Sequence, residues 1–254
     1  MRRLMEVIVA VSVLCLVGVL LFAPATVFGQ GDASGSPTSS HSQIARGRSL
    51  FVSGCSSCHG FAADGIHGLA PSLHGVGAAA ADFYLRTGRM PLSAAGQEPQ
   101  RRPPAYSPSQ ISDLVAYVGS LGGPPVPHVQ TEGASLSRGQ RLFADNCSGC
   151  HQAAGRGGIV TGAFVPALVD STPTQIAEAV RVGPFLMPRF GSAQLTDQDV
   201  SDIARYVVYL RRPPDHGGWG IGYIGPVPEG MITWLVAITA LLLVTRLIGE
   251  RVER

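Results

Sequence analysis

The chain has 254 residues, of which 45% are hydrophobic and only 14% charged, with a formal net charge of +2. So small an imbalance gives no ground for a nucleic-acid partner or any other partner recognised mainly by charge, and the length allows one or two domains. All nineteen basic residues are arginine, and four of the five cysteines fall in two short clusters, leaving no disulfide framework to propose.

Arg2 and Arg3 precede an apolar run from Val7 to Ala23, the pattern of an export signal or a membrane anchor. Val27-Phe28-Gly29 offers a small-residue cleavage site before Gln30. The run, roughly 17 residues, also reaches the lower limit for a spanning helix. Residues 1–29 are therefore a signal peptide or an N-terminal anchor, and both deliver the downstream chain across the membrane. Cys15 lies behind Leu14 rather than the small residue that precedes a lipid-modified cysteine, so it reads as an ordinary apolar position. Residues 30–42 form a small polar linker with His41 solvated.

From Gln43 a helical pattern carrying Ile44, Leu50 and Phe51 runs into Cys55-Ser56-Ser57-Cys58-His59. A second copy, Cys147-Ser148-Gly149-Cys150-His151, lies 92 positions further on (55 to 147). C-x-x-C-H attaches c-type haem: the thiols of Cys55 and Cys58, and of Cys147 and Cys150, add to the vinyl groups, and His59 and His151 become axial ligands of the iron. One helical turn sets both sulfurs over the same porphyrin edge and the imidazole beneath the metal. A thioredoxin-like pair needs a βαβ setting that neither copy has, and a zinc ribbon separates its pairs by about 15–20 residues.

The surroundings of the two copies match. Arg46-Gly47-x-x-Leu50-Phe51 returns as Arg138-Gly139-x-x-Leu142-Phe143. Behind each motif comes a Gly-rich loop, then Ala70-Pro71-Ser72-Leu73 or Val165-Pro166-Ala167-Leu168. Gly88-Arg89-Met90-Pro91 and Phe185-Leu186-Met187-Pro188 come next, and closing helices carry Ile111–Val118 and Val200–Val207. Matched features in one order indicate duplication of a single domain, giving units at 43–121 and 135–211. A linker over 122–134 joins them, and its three prolines make it extended. His128 within the linker faces solvent.

The second axial ligand is read from the matched loops. Met90 and Met187 each precede proline, which stiffens the presenting loop, and Met/His ligation raises the reduction potential. Core methionines are the plainer reading, and in the first unit His67 and His74 are rival ligands. Carbonyls in the loops of Pro71 and Pro166 could accept the N–H of each proximal histidine, as second-shell partners do; a plain turn proline is the alternative. Irons with both axial positions filled suit electron transfer rather than catalysis.

Residues 212–230 form a Gly/Pro-rich extracytoplasmic connector with Trp219 and Tyr223. Met231 to Ile248 is apolar apart from Arg246, and its eighteen residues rise about 27 Å as a helix, enough to span a membrane. Arg246 snorkels. Together with Arg251 and Arg254, it places the 249–254 tail inside the cell and the haem units outside.

Each unit resembles a class I cytochrome c domain, in which the glycine and aromatic of the first helix (Gly47 and Phe51, Gly139 and Phe143) cross the last helix near Leu114 and Tyr117, or Ile203 and Tyr206. The resemblance implies an all-α fold of two tandem cytochrome c domains plus a C-terminal transmembrane helix. Nearly the whole chain is also similar to the dihaem cytochrome c subunit of actinobacterial cytochrome bcc complexes. Gly217-Gly218-Trp219-Gly220-Ile221-Gly222-Tyr223 through Gly230-Met231 is the most specific part of that likeness. It implies two covalent haem c groups and a subunit of a menaquinol–cytochrome c reductase. The implied partners are a cytochrome b subunit, a Rieske iron–sulfur subunit and an aa3-type oxidase whose copper centre takes the electrons. The first unit departs from the pattern in its extra histidines and an Arg/Pro-rich loop at 98–104. A dihaem peroxidase and the cytochrome subunit of a periplasmic dehydrogenase are the competing expectations.

Overall fold

The computed structural model describes residues 41–160, 162–213 and 226–252. The expectations for residues 1–29, for most of the 30–42 linker and for most of the connector at 212–230 fall outside these.

The first repeat consists of α1 (His41–Gly54), the single turn α2 (Ser56–His59), α3 (Gly77–Arg86) and α4 (Pro108–Ser120). α1 therefore takes in His41 and Ser42, which the sequence pattern assigns to the linker. The second repeat consists of α5 (Leu136–Asn146), the turn α6 (Ser148–His151), a hairpin of β1 (Gly158–Val160) and β2 (Ala163–Val165), then α7 (Pro173–Val182) and α8 (Asp197–Tyr209). The hairpin pairs antiparallel with Gly158 opposite Val165; it is a local departure from an otherwise helical chain.

The first and last helices of each repeat cross at a glycine. A β-carbon on Gly47 would collide with the Asp113 carbonyl and one on Gly139 with the Asp202 carbonyl, so only glycine allows the backbones so close. The aromatic one turn later seals each crossing: Phe51 packs at a tilt against Tyr117 with ring centroids 5.1 Å apart, and Phe143 against Tyr206 at 5.4 Å. Both phenylalanines are 1% exposed. Arg46 forks onto Asp113 with both bonds at 3.0 Å. Its counterpart Arg138 reaches Asp199 at 2.6 Å, one turn earlier on α8, and pairs more loosely with Asp202 at 3.6 Å, whose other oxygen accepts the Ser135 amide at 2.7 Å.

Helix starts arise from local chemistry. Ser107 and Thr172 build capping boxes with Gln110 and Gln175, each with proline at the first helical position, and Thr196 builds one with Asp199. Each cap is worth about 1 kcal/mol.

α3 and α7, which the sequence pattern does not single out, pack against one another and join the repeats. Their contact buries Asp82 and Glu178, and acidic residues at inward positions hide the apolar period that would mark these helices. The 122–134 linker is held on both sides. The Pro124 carbonyl accepts the Ala79 amide at 3.2 Å, and the Gln130 amide donates to Ser201 at 3.4 Å. His128 is exposed as expected.

α9 (Pro226–Val252) begins five residues earlier than the apolar run at Met231. Pro226 and Pro228 are tolerated there because first-turn amides have no helical acceptor. The apolar segment is Val227–Gly249, 23 residues with none of its side chains buried. A helix apolar on every side and about 35 Å long matches a membrane span. Thr233 and Thr239 return their hydroxyls to carbonyls four residues back, so neither hydroxyl is left facing lipid without an acceptor.

Candidate haem sites

Each C-x-x-C-H stretch occupies one helical turn. The amides of Cys58 and His59 donate to the Cys55 carbonyl at 3.2 and 3.0 Å, and those of Cys150 and His151 donate to Cys147 at 3.2 and 2.9 Å. The turn continues directly from the first helix, so the crossing at Gly47 or Gly139 sets its position. Cys55 and Cys147 face inward while Cys58 and Cys150 are exposed. Burial pushes the Cys147 thiol up to about 11. Burial also raises the Cys55 thiol, while a hydrogen bond from Tyr106 pulls it back.

The loop behind each turn closes on the histidine. In the first repeat the Gly65 amide donates to the His59 carbonyl at 2.8 Å and the Leu73 amide to Ala63 at 2.8 Å. In the second, Gly157 donates to His151 at 3.0 Å and Leu168 to Gly155 at 2.9 Å. Nδ1 of His59 then lies 2.9 Å from the Pro71 carbonyl, and Nδ1 of His151 lies 3.1 Å from the Pro166 carbonyl. Both loop prolines thus carry acceptors for the imidazoles rather than acting as plain turns. Burial lowers the His151 pKa against the opposing pull of that carbonyl. A neutral ring with its Nδ1 proton engaged leaves the Nε2 lone pair free to bind a metal.

Met90 packs on the core cluster of the first repeat, which includes Phe51 and Leu85, and Met187 on that of the second, which includes Phe143 and Val180. The Met90 amide is held by the Tyr84 carbonyl at 3.1 Å, and the Met187 amide by Pro184 at 3.0 Å. Of the rival histidines, His74 turns its Nε2 onto the Ala62 carbonyl at 2.9 Å and Asp64 at 3.1 Å. His67 is exposed. The second repeat has a cavity lined by Phe143, Cys147, His151 and Pro166, with Phe83 and Arg89 of the first repeat on its far wall.

In the second repeat the anchored imidazole, the Cys147 thiol and the apolar cavity beside them fit a covalently attached haem, and the first repeat repeats the turn and the anchored imidazole. Sequence reasoning missed Tyr84 and Tyr106. The carbonyl of Tyr84 carries the Met90 loop, while its phenol, raised by burial, meets the Phe185 backbone two residues before Met187. No motif marks such bridging residues.

Comparison with known proteins agrees with this geometry. Residues 44–122 match the family model "Cytochrome c", and residues 134–207 match "Cytochrome C oxidase, cbb3-type, subunit III". Fold and site together define a tandem c-type cytochrome, a haem c-binding electron carrier. The chain is 35% identical over 227 residues to the cytochrome bc1 complex cytochrome c subunit of Corynebacterium diphtheriae, covering 82% of this chain and 81% of that one. It is 35% identical over 252 residues to the Mycobacterium tuberculosis subunit of the same name, covering 92% and 90%, and 34% identical to that of Mycobacterium leprae, covering 92% and 87%. It belongs to the family of actinobacterial cytochrome bc1 complex cytochrome c subunits.

Proposed function

We propose that this chain is a membrane-anchored dihaem relay within a menaquinol-oxidising complex. It carries single electrons from a Rieske iron–sulfur subunit to the copper centre of an aa3-type oxidase, and its α9 helix sits beside a cytochrome b subunit. The supporting observation is the direct packing of the repeats, which lets Phe83 and Arg89 of one line the cavity beside His151 of the other. Haem bound at each repeat supplies a one-electron couple.

Cys55 and Cys58 hold one haem as thioethers, and Cys147 and Cys150 hold the other. His59 and Met90 would ligate the iron of the first haem, and His151 and Met187 that of the second. The Pro71 and Pro166 carbonyls orient the imidazoles, so little reorganisation accompanies each electron. The haem domains lie on the extracytoplasmic side, and the basic residues towards the C-terminus keep that end in the cytoplasm. The enzymatic activity, quinol–cytochrome c reduction, belongs to the complex; this chain contributes the carrier.

The test is steady-state oxygen uptake with quinol as donor by a purified complex confirmed to contain the oxidase. Uptake proceeds without added soluble cytochrome c, because tethering replaces diffusional encounter. An absolute requirement for the soluble carrier would overturn the relay.

A further inference from the structure

The cavity beside His151 has a wall that its own repeat does not supply. Arg89 and Arg101, both ahead of the linker, line it together with Cys147 and Pro166. The Arg89 guanidinium lies over the Phe83 ring at 5.0 Å from the centroid, and its Nη1 is buried with no hydrogen-bond partner. Arg101 is held in place by neutral acceptors, the Asp170 carbonyl at 3.0 Å and Gln175 Oε1 at 3.2 Å. Among the described residues neither arginine forms an ion pair with a carboxylate; the acids of the adjoining α3–α7 contact are Asp82, bound to Arg86 at 2.7 Å, and Glu178. Two guanidiniums facing one cavity with an orphaned donor call for an anion, since a half-buried cation without a counter-charge is costly.

We propose that Arg89 and Arg101 of the first repeat bind a propionate carboxylate of the haem held by the second repeat. This rests on the reading of that cavity as a haem site. Propionates are the anionic groups haem brings, and a guanidinium meets a carboxylate through two parallel hydrogen bonds. Arg101 is fixed by its contacts to Asp170 and Gln175, and Arg89 presents the open Nη1. The second haem site is thereby completed only when the repeats are docked. Arg89 and Met90 are consecutive, so neighbouring residues on one strand of loop serve the two haems. Positive charge beside a haem favours its electron-rich state, so the first repeat raises the potential of the second haem.

The test is a spectroelectrochemical titration of the purified complex carrying the full chain, with covalent haem counted first by pyridine haemochrome. Fewer than two haems per wild-type chain would defeat the haem reading itself, apart from the arginine assignment. With two haems present, Met187→His identifies the wave of the second haem and Met90→His that of the first. Arg89→Gln and Arg101→Gln each lower the potential of the wave that Met187→His moves, and Arg89→Lys restores part of the loss. Arg101→Gln carries the test alone if Arg89→Gln does not assemble. Arginine substitutions that leave that wave in place, or displace only the Met90 wave, would overturn the assignment.

Discussion

The Nδ1 atom of His151 lies 3.1 Å from the main-chain carbonyl oxygen of Pro166. A carbonyl can only accept, so Nδ1 carries the proton and Nε2 is the nitrogen left unprotonated in the neutral ring. The same device recurs between His59 and Pro71 at 2.9 Å. Each imidazole is thus oriented by its own chain.

Covalent attachment is expected from the two complete Cys/His turns. Wild-type chain retains two haems after acid–acetone extraction, and Cys55→Ala combined with Cys58→Ala leaves one. The pyridine haemochrome assay reads the number directly. Haem that extracts freely would contradict thioether bonding.

Methionine ligation gives the oxidised protein a weak sulfur-to-iron band at the red end of its spectrum, with a contribution from each haem. Met90→Ala removes the first contribution and Met187→Ala the second. Met187→His lowers the potential of one haem, because imidazole lacks the thioether's preference for ferrous iron. An unchanged first-haem spectrum in Met90→Ala would assign that position to His67 or His74.

Gly139→Ala forces a β-carbon into the Asp202 carbonyl and destabilises the second repeat by about 3 kcal/mol, the upper end for overpacking. Thermal unfolding monitored at the second haem's absorbance shows the loss. Gly149→Ala is the control, because nothing lies within 4 Å of its added carbon, and its unfolding temperature stays close to that of wild type.

Glu178 is 0% exposed. Burial, reinforced by the neighbouring Asp82 carboxylate and opposed by Arg86, pushes its pKa from 4.5 up to about 9. Between those values the unfolded chain has released a proton that the native chain keeps. The contribution of Glu178 to stability is therefore greatest below about 4.5, falls as pH rises through the window, and levels above about 9. Glu178→Gln, which cannot ionise, flattens this dependence and gains unfolding temperature at pH 8 relative to wild type. Unfolding midpoints measured across the window decide the matter, and parallel pH profiles for the two proteins would refute it.

The periodicity of two Cys/His turns, each behind an Arg-Gly-x-x-Leu-Phe helix and ahead of a Met-Pro loop, is visible in one dimension. Covalent attachment requires contiguous residues, and a helix crossing requires glycine at a fixed distance from them. The apolar run within α9 is equally plain, because a membrane demands length and composition rather than partners. The helix starts five residues ahead of that run, since first-turn prolines look like a connector until the helix is seen.

Sequence alone thus determined the duplication, the two C-x-x-C-H turns and the apolar C-terminal helix, all of which depend on residues near one another along the chain. Only the tertiary structure decided how the repeats meet. No sequence pattern marks Asp82 or Glu178, yet α3 and α7 bury them together. Arg101, in a loop notable only for its arginines and prolines, crosses to Asp170 and Gln175 of the other repeat. Such contacts join residues 69 to 96 positions apart (101 to 170, 82 to 178) and leave no local pattern, because the buried surroundings that hold them exist only once the repeats dock.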